Sequence, residues 1–144
     1  FKTAHNEMRK RHPDLLRRLY QPFYFDRQRE HAPYDVMTTY HPMFENQDGE
    51  LVARLSYRQV VYGYELEGKE LDPEGRDALD AFEAILNEPE MWKDFFFEPG
   101  QIQLLDNRRC GHCRTAFEDY REPERRRHLV RLWMRDSGRT FYHG

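Results

Sequence analysis

Cysteine is nearly absent from this 144-residue chain, and its two copies, Cys110 and Cys113, lie three residues apart. A pair that close cannot staple a fold as a disulfide framework does, so its meaning is local. No apolar run approaches the roughly 18 residues needed to cross a membrane. The start, Phe1-Lys2-Thr3-Ala4-His5, also lacks the basic-then-apolar layout of a secretory leader. A cytoplasmic location is the expectation. Positive charge is not in excess either: the formal net charge is -3, which gives no overall field for a nucleic acid or an anionic membrane surface. Internal repeats, low-complexity tracts and linkers are missing as well. An initiator methionine is missing too, and the first dozen residues read as the middle of a helix. The expectation is a chain whose N-terminal part is absent.

Aromatic residues make up 15% of the sequence and charged residues 34%. That combination suits a folded domain with a wet surface better than a disordered tail, which goes with few aromatics. A chain of this length buries roughly 68–70% of the surface its unfolded form exposes, enough for one core.

Apolar spacing predicts helix over residues 3–20, interrupted at His12-Pro13-Asp14, where the proline suits the first turn of a second helix. Gln21–Asp26 reads as an aromatic extended run. Val36–Phe44 and Leu51–Tyr57 read as two strands of a hairpin turning at Asn46-Gln47-Asp48-Gly49. Asp72-Pro73-Glu74 supplies a cap, a first-turn proline and an early acid, and Leu79, Phe82, Ile85 and Leu86 follow at helical spacing, predicting a helix over 73–87. Short strands are expected at Phe95–Glu98 and Gln101–Asp106 around the turn Pro99-Gly100, and a last one from Arg127 to Arg135. Helices and short strands without βαβ regularity point to an α+β or mainly β fold, with an antiparallel sheet decorated by helices.

The segment from Gly100 to Phe117 sets a strand, a polar turn and a histidine in sequence. Downstream, period two places Arg127, Leu129, Arg131 and Trp133 on one face of the last expected strand. The two arginines stand about 13 Å apart along it. Two guanidiniums on one face suit anionic groups.

These features together, a Gly-x-Ile strand, Asp106-Asn107-Arg108, His112, Arg114-Thr115-Ala116-Phe117-Glu118-Asp119, then Pro123-Glu124-Arg125 through Arg127-His128-Leu129 to Trp133, resemble the C-terminal signature of TauD/TfdA-like dioxygenases. His12-Pro13-Asp14-Leu15-Leu16 and Pro22-Phe23-Tyr24 are similar to the same family. The resemblance implies residues 1–144 as the C-terminal part of one dioxygenase domain with a double-stranded β-helix (jelly-roll) core and flanking helices. It implies Fe(II) and 2-oxoglutarate as cofactor and co-substrate, and a small organic molecule as substrate, hydroxylated at an unactivated carbon. His112 corresponds to the last iron ligand, Arg127 to the anchor of the distal carboxylate of 2-oxoglutarate, and Arg131 to a contact for the substrate or a second anion. Two imidazoles and a carboxylate on one face of Fe(II) leave room for the keto acid and dioxygen. A guanidinium holds a carboxylate with two parallel, charge-assisted hydrogen bonds.

The family's earlier His-x-Asp/Glu pair is not evident. His5-Asn6-Glu7 and His12-Pro13-Asp14 match its spacing but fall in the helical segment that the family places after its iron pair. Cys110-Gly111-His112-Cys113 is identical to the redox centre of protein disulfide isomerases, so thiol-disulfide exchange is an alternative, provided that Cys110 begins a helix. A non-catalytic truncated module, able to form a homo-oligomer over its open core, is the third. Asp106 and Asn107 read as turn formers. Arg125 and Arg126 read as surface, His31, His41, His128 and His143 as structural or exposed, and Phe95–Phe97 and Trp133 as core.

Overall fold

The computed structural model describes residues 1–132 and Met134. Two helices open the chain, α1 (Lys2–Arg11) and α2 (Pro13–Leu19), and they break where the sequence predicts. His12 leaves helical geometry at φ -138°, and Pro13 occupies the first helical position, where its missing N–H costs no hydrogen bond. Strand β1 (Pro22–Asp26) pairs antiparallel with β2 (Thr38–Pro42), and β3 (Phe44–Gln47) with β4 (Glu50–Ala53). Helices α3 (Tyr57–Glu67) and α4 (Pro73–Leu86) follow. Single 3-10 turns at Pro89–Met91 and Pro123–Arg125 complete the described elements.

The Asp48-Gly49 turn forms as expected, both residues having positive φ (53° and 83°), the geometry of a tight hairpin turn. The strand before it differs from the expectation, because it divides at Met43. Pro42 ends β2 against Pro22, and β3 starts at Phe44 against Ala53. The fully buried Met43 donates its N–H to the Leu19 carbonyl at 3.0 Å and accepts from the Arg54 N–H at 2.8 Å. Its backbone is thus satisfied by the end of α2 and by the residue after β4 instead of by one ladder.

A second correction concerns Tyr57, which starts α3 instead of ending a strand. The Ser56 hydroxyl accepts from the Gln59 N–H, and Gly68 closes the helix in the left-handed region at φ 61°, a hydroxyl cap and a glycine stop that together outweigh the local β-branched run. Helix α4 matches its prediction within a residue. Asp72 accepts from the Gly75 N–H at 2.7 Å, and Ala78, Leu79, Phe82 and Ile85 form its buried stripe.

One hydrophobic core joins these elements. Met8, Leu19, Phe23, Met43, Phe44, Val60, Leu79, Phe82 and Ile85 are fully or almost fully buried, and the Phe44 and Phe82 rings meet edge to face at 5.1 Å. Such ring pairs contribute about 0.5–1.5 kcal/mol beyond the area they bury. Two-stranded sheets are marginal alone. Here α3 lies across β1, while α1 and α2 pack on α4.

Residues 92–132 contain no strand among the described residues, so the strands expected at Phe95–Glu98, Gln101–Asp106 and from Arg127 are not formed. The turn between the first two is present: Gly100 has φ 87°, and the Gln101 N–H donates to the Glu98 carbonyl at 3.1 Å. An alternating segment becomes a strand only when a neighbour takes up its N–H and C=O groups, and the described strands pair only with one another. The apolar side chains of this stretch are correspondingly open: Phe96 is 93% exposed, Ile102 85% and Leu132 80%. Phe95 and Phe96 therefore lie outside the core that the sequence suggests for them. Trp133, Arg135 and His143 lie outside the described residues.

Candidate functional site

Asp106 builds the turn that leads to His112. Its carboxylate accepts from the Arg108 N–H at 3.0 Å, and its carbonyl accepts from the N–H groups of Arg109 and Cys110, each at 3.1 Å. This self-capping is the usual reason for aspartate in turns. Three hydrogen bonds then tie the turn to the folded body, beside an ion pair of Arg109 with Glu50 at 3.5 Å. The Arg108 carbonyl accepts from the Ala53 N–H at 2.9 Å, its guanidinium donates to Gln47 Oε1 at 2.8 Å, and the Arg109 carbonyl accepts from the Phe1 nitrogen at 2.9 Å. At Gly111 a Cβ would lie 3.2 Å from the Phe1 ring, so the missing side chain lets the two chain segments approach. Strap residues Arg108 and Phe1 were not legible as such, because their partners are 61 and 108 residues away.

His112 follows this anchored turn with its imidazole exposed, in a run from residue 110 to 120 without turn, bend or helix. Cys110 therefore does not begin a helix, and the Cys-Gly-His-Cys motif lacks the helix N-terminus that activates the thiol in exchange enzymes. Arg127 comes after a compact reversal of the chain. Asp119 Oδ1 accepts from the Arg127 N–H at 3.0 Å, and the Arg126 guanidinium donates to the carbonyls of Tyr120 and Arg121 at 3.2 and 2.9 Å. The Arg127 guanidinium lies 5.4 Å from the centre of the Phe117 ring, which Arg114 also approaches at 4.6 Å. An aromatic face orients a guanidinium without consuming its N–H donors. Phe117 thus lies beside both guanidiniums, and in a run without helix no local spacing announces that contact. Arg131 is exposed four residues further on.

The early histidines take structural roles. His5 Nε2 lies 2.8 Å from the Tyr20 hydroxyl, and its ring stands edge-on to Phe44 at 5.1 Å. Burial depresses its pKa, the neighbouring Asn6 hydrogen bond opposing. His12 serves as the hinge between α1 and α2. Among the described residues no three His, Cys, Asp or Glu side chains converge into a group able to hold a metal. A facial iron site needs three donors on one face. The described residues do not by themselves fit a complete iron centre, and His112 is part of no such three-donor group.

Two comparisons bear on the whole chain. The sequence model of the family described as taurine catabolism dioxygenase TauD, TfdA matches residues 1–133. FR-33289 synthase of Streptomyces rubellomurinus (strain ATCC 31215) is 31% identical over 141 residues, covering 95% of this chain and 42% of that protein. The chain therefore spans less than half the length of this curated relative. No helix among the described residues is long and apolar enough to cross a membrane. The family match runs from α1 through the anchored turn, His112, Arg127 and Arg131, and on that ground the chain belongs to the TauD/TfdA dioxygenase family.

Proposed function

We propose that residues 1–144 form the C-terminal part of an Fe(II)- and 2-oxoglutarate-dependent dioxygenase that hydroxylates a small organic molecule. The observation that carries this reading is the ordered segment from His112 to Arg131 inside the family match. In it His112 supplies one imidazole to the iron, and the other two donors come from outside the described residues. Arg127 receives the distal carboxylate of 2-oxoglutarate, and Arg131 meets the substrate or a second anionic group. Bound iron would supply activation of dioxygen, coupled to oxidative decarboxylation of 2-oxoglutarate to succinate and carbon dioxide.

The local structure supports these roles. Asp106 and Arg108 fix the base from which His112 projects, and Phe117 holds the Arg127 guanidinium with its donors open to an anion. The exposed apolar residues between Phe95 and Leu132 fit strands of a jelly roll that pair with chain beyond these residues. The naming of the relative as the synthase of a particular compound favours a small molecule over a nucleic acid or a protein as substrate.

The test is succinate release from 2-oxoglutarate by the full-length protein loaded with Fe(II). His112→Ala and Arg127→Ala should each reduce it by at least about a hundredfold, the scale of losing a ligand or a bidentate charged contact. Unchanged release in both variants would show that the roles are wrong. A full-length protein that folds but never releases succinate would support a non-catalytic module instead.

A further inference from the structure

Cys110 and Cys113 are both free thiols, and the proposed reaction uses neither. They are the two cysteines of the sequence, and they bracket Gly111 and His112. Their surroundings differ. Cys110 is half-buried, its N–H and its Sγ both donate to the Asp106 carbonyl, at 3.1 and 3.3 Å, and the backbone before it is strapped to β3, β4 and Phe1. Cys113 is exposed on the run that continues without turn or bend to residue 120. One sulfur thus sits on a fixed base and the other on an arm three residues away.

A disulfide needs its two Cα atoms within about 4.4–6.8 Å. Four consecutive residues reach that separation when they fold into a β-turn, whose ends lie within roughly 7 Å. The central residues of such a turn would be Gly111 and His112, and glycine tolerates the backbone angles that any of the common turn types asks of it. Bond formation therefore takes His112 from a run without turn or bend to the corner of a turn.

We propose that Cys110 and Cys113 form an oxidation-sensitive dithiol that closes around His112 on exposure to a peroxide and redirects its imidazole. The exposed Cys113 sulfur attacks the peroxide O–O bond and keeps one oxygen as a sulfenic acid, while the other oxygen leaves as water. The Cys110 sulfur then attacks the sulfenic sulfur, forming the S–S bond. The departing hydroxide takes the Cys110 proton and leaves as a second water. Two thiols lose two electrons and two protons, and one hydrogen peroxide becomes two waters. The effect on iron binding rests on the reading of His112 as a ligand. The thiol chemistry does not.

Cleavage after Arg109 and Arg114 releases both cysteines in the single peptide Cys110–Arg114, which makes the test direct. The full-length protein is treated with hydrogen peroxide, alkylated with iodoacetamide and digested with trypsin. The expected product is this peptide, two hydrogens lighter and unalkylated, restored to the doubly alkylated form by prior dithiothreitol. It is absent in Cys110→Ser and Cys113→Ser. A peptide that stays doubly alkylated, ends as a sulfinic acid or is linked to another chain would overturn the proposal. Imidazole NMR signals of His112 should shift on oxidation of the parent protein and stay in place in Cys113→Ser. A formed disulfide with unmoved His112 signals would refute the redirection. Failure of the dioxygenase reading would show as absent succinate with the disulfide still forming, whereas failure of the dithiol leaves succinate release intact and the peptide alkylated.

Discussion

The Arg18 guanidinium grips both carboxylate oxygens of Asp72, at 2.7 and 3.2 Å, and so ties α2 to the first turn of α4. Asp72 also caps α4 through the Gly75 N–H, and Arg18 lies over the Phe23 ring at 4.0 Å. One carboxylate thus holds a helix end and a helix-to-helix contact together. Replacing it by alanine removes the cap and leaves a guanidinium that is only 12% exposed without its partner. Asp72→Ala should lower the unfolding free energy by about 1–3 kcal/mol, read by urea titration.

The same pair makes stability depend on acid in a defined sense. The hydrogen bond from Arg18 holds the Asp72 carboxyl below its ordinary value of 3.8. A depressed folded value means that the unfolded chain binds the proton more readily, so the contribution is complete above the ordinary value and is lost as pH falls through the depressed one. Asp72→Asn keeps a capping oxygen but no charge. Its deficit relative to the parent should be largest at neutral pH and should shrink below about pH 3.8. A constant deficit across that range would assign the effect to the cap alone.

His5 gives the opposite kind of group and the same direction. Packed on Phe44 and bonded to Tyr20, it is held by burial below the ordinary histidine value of 6.5. The unfolded chain takes up its proton first, so the folded state is fully favoured above 6.5 and loses ground as pH drops from there toward the depressed value. The parent should lose thermal stability between pH 7 and pH 5.5 more steeply than His5→Gln, which can keep a hydrogen bond to Tyr20 and does not titrate. Parallel slopes would mean that other groups carry the dependence.

What was legible in the sequence were the features with local causes. The break at Pro13, the turn at Asp48-Gly49, the capped helix after Asp72 and the Asp106 turn each depend on residues within a few positions of one another. The division of the strand at Met43 was hidden because its cause is the Leu19 carbonyl, supplied by another element. The expected late strands follow the alternation rule correctly, yet alternation describes only one face of a sheet and says nothing about the neighbour that must pair with it. For the proposed site, the family resemblance is what singled out His112 and Arg127. The straps that place the first, and the Phe117 ring beside the second, emerged only from the structure.

Helix α3 carried readable signals at both ends, Ser56 with Gln59 and then Gly68, but its packing was not readable. A Cβ at Gly63 would lie 2.6 Å from the Tyr24 carbonyl carbon and 2.9 Å from the Phe25 nitrogen. Backbone meets backbone there, and neither side can yield as a flexible side chain would. Gly63→Ala should therefore destabilise the chain by about 1–3 kcal/mol, despite the better helix propensity of alanine, because α3 must lift from β1. Gly68→Ala is a useful contrast: open space surrounds that position, and only its φ of 61° resists a side chain. A smaller loss is expected there, about 1 kcal/mol. Thermal unfolding of the two variants side by side checks the order.

Arg127 offers the sharpest functional prediction, since its charge and its shape can be separated. Arg127→Lys keeps the positive charge but loses the planar fork that accepts a carboxylate on two parallel bonds, and it stacks less well on Phe117. On the proposed reading, the apparent KM of the full-length protein for 2-oxoglutarate should rise by about ten- to a hundredfold, the equivalent of roughly 1.4–2.8 kcal/mol, while kcat changes much less, because such an anchor would be made equally in the bound and reacting states. Phe117→Leu should produce a smaller rise of the same kind, since the guanidinium remains but its orienting ring is gone. A KM untouched by Arg127→Lys, alongside normal succinate yield, would place the carboxylate anchor elsewhere on the chain. Arg131 would then be the next residue to replace, as the exposed arginine four positions further along the same stretch.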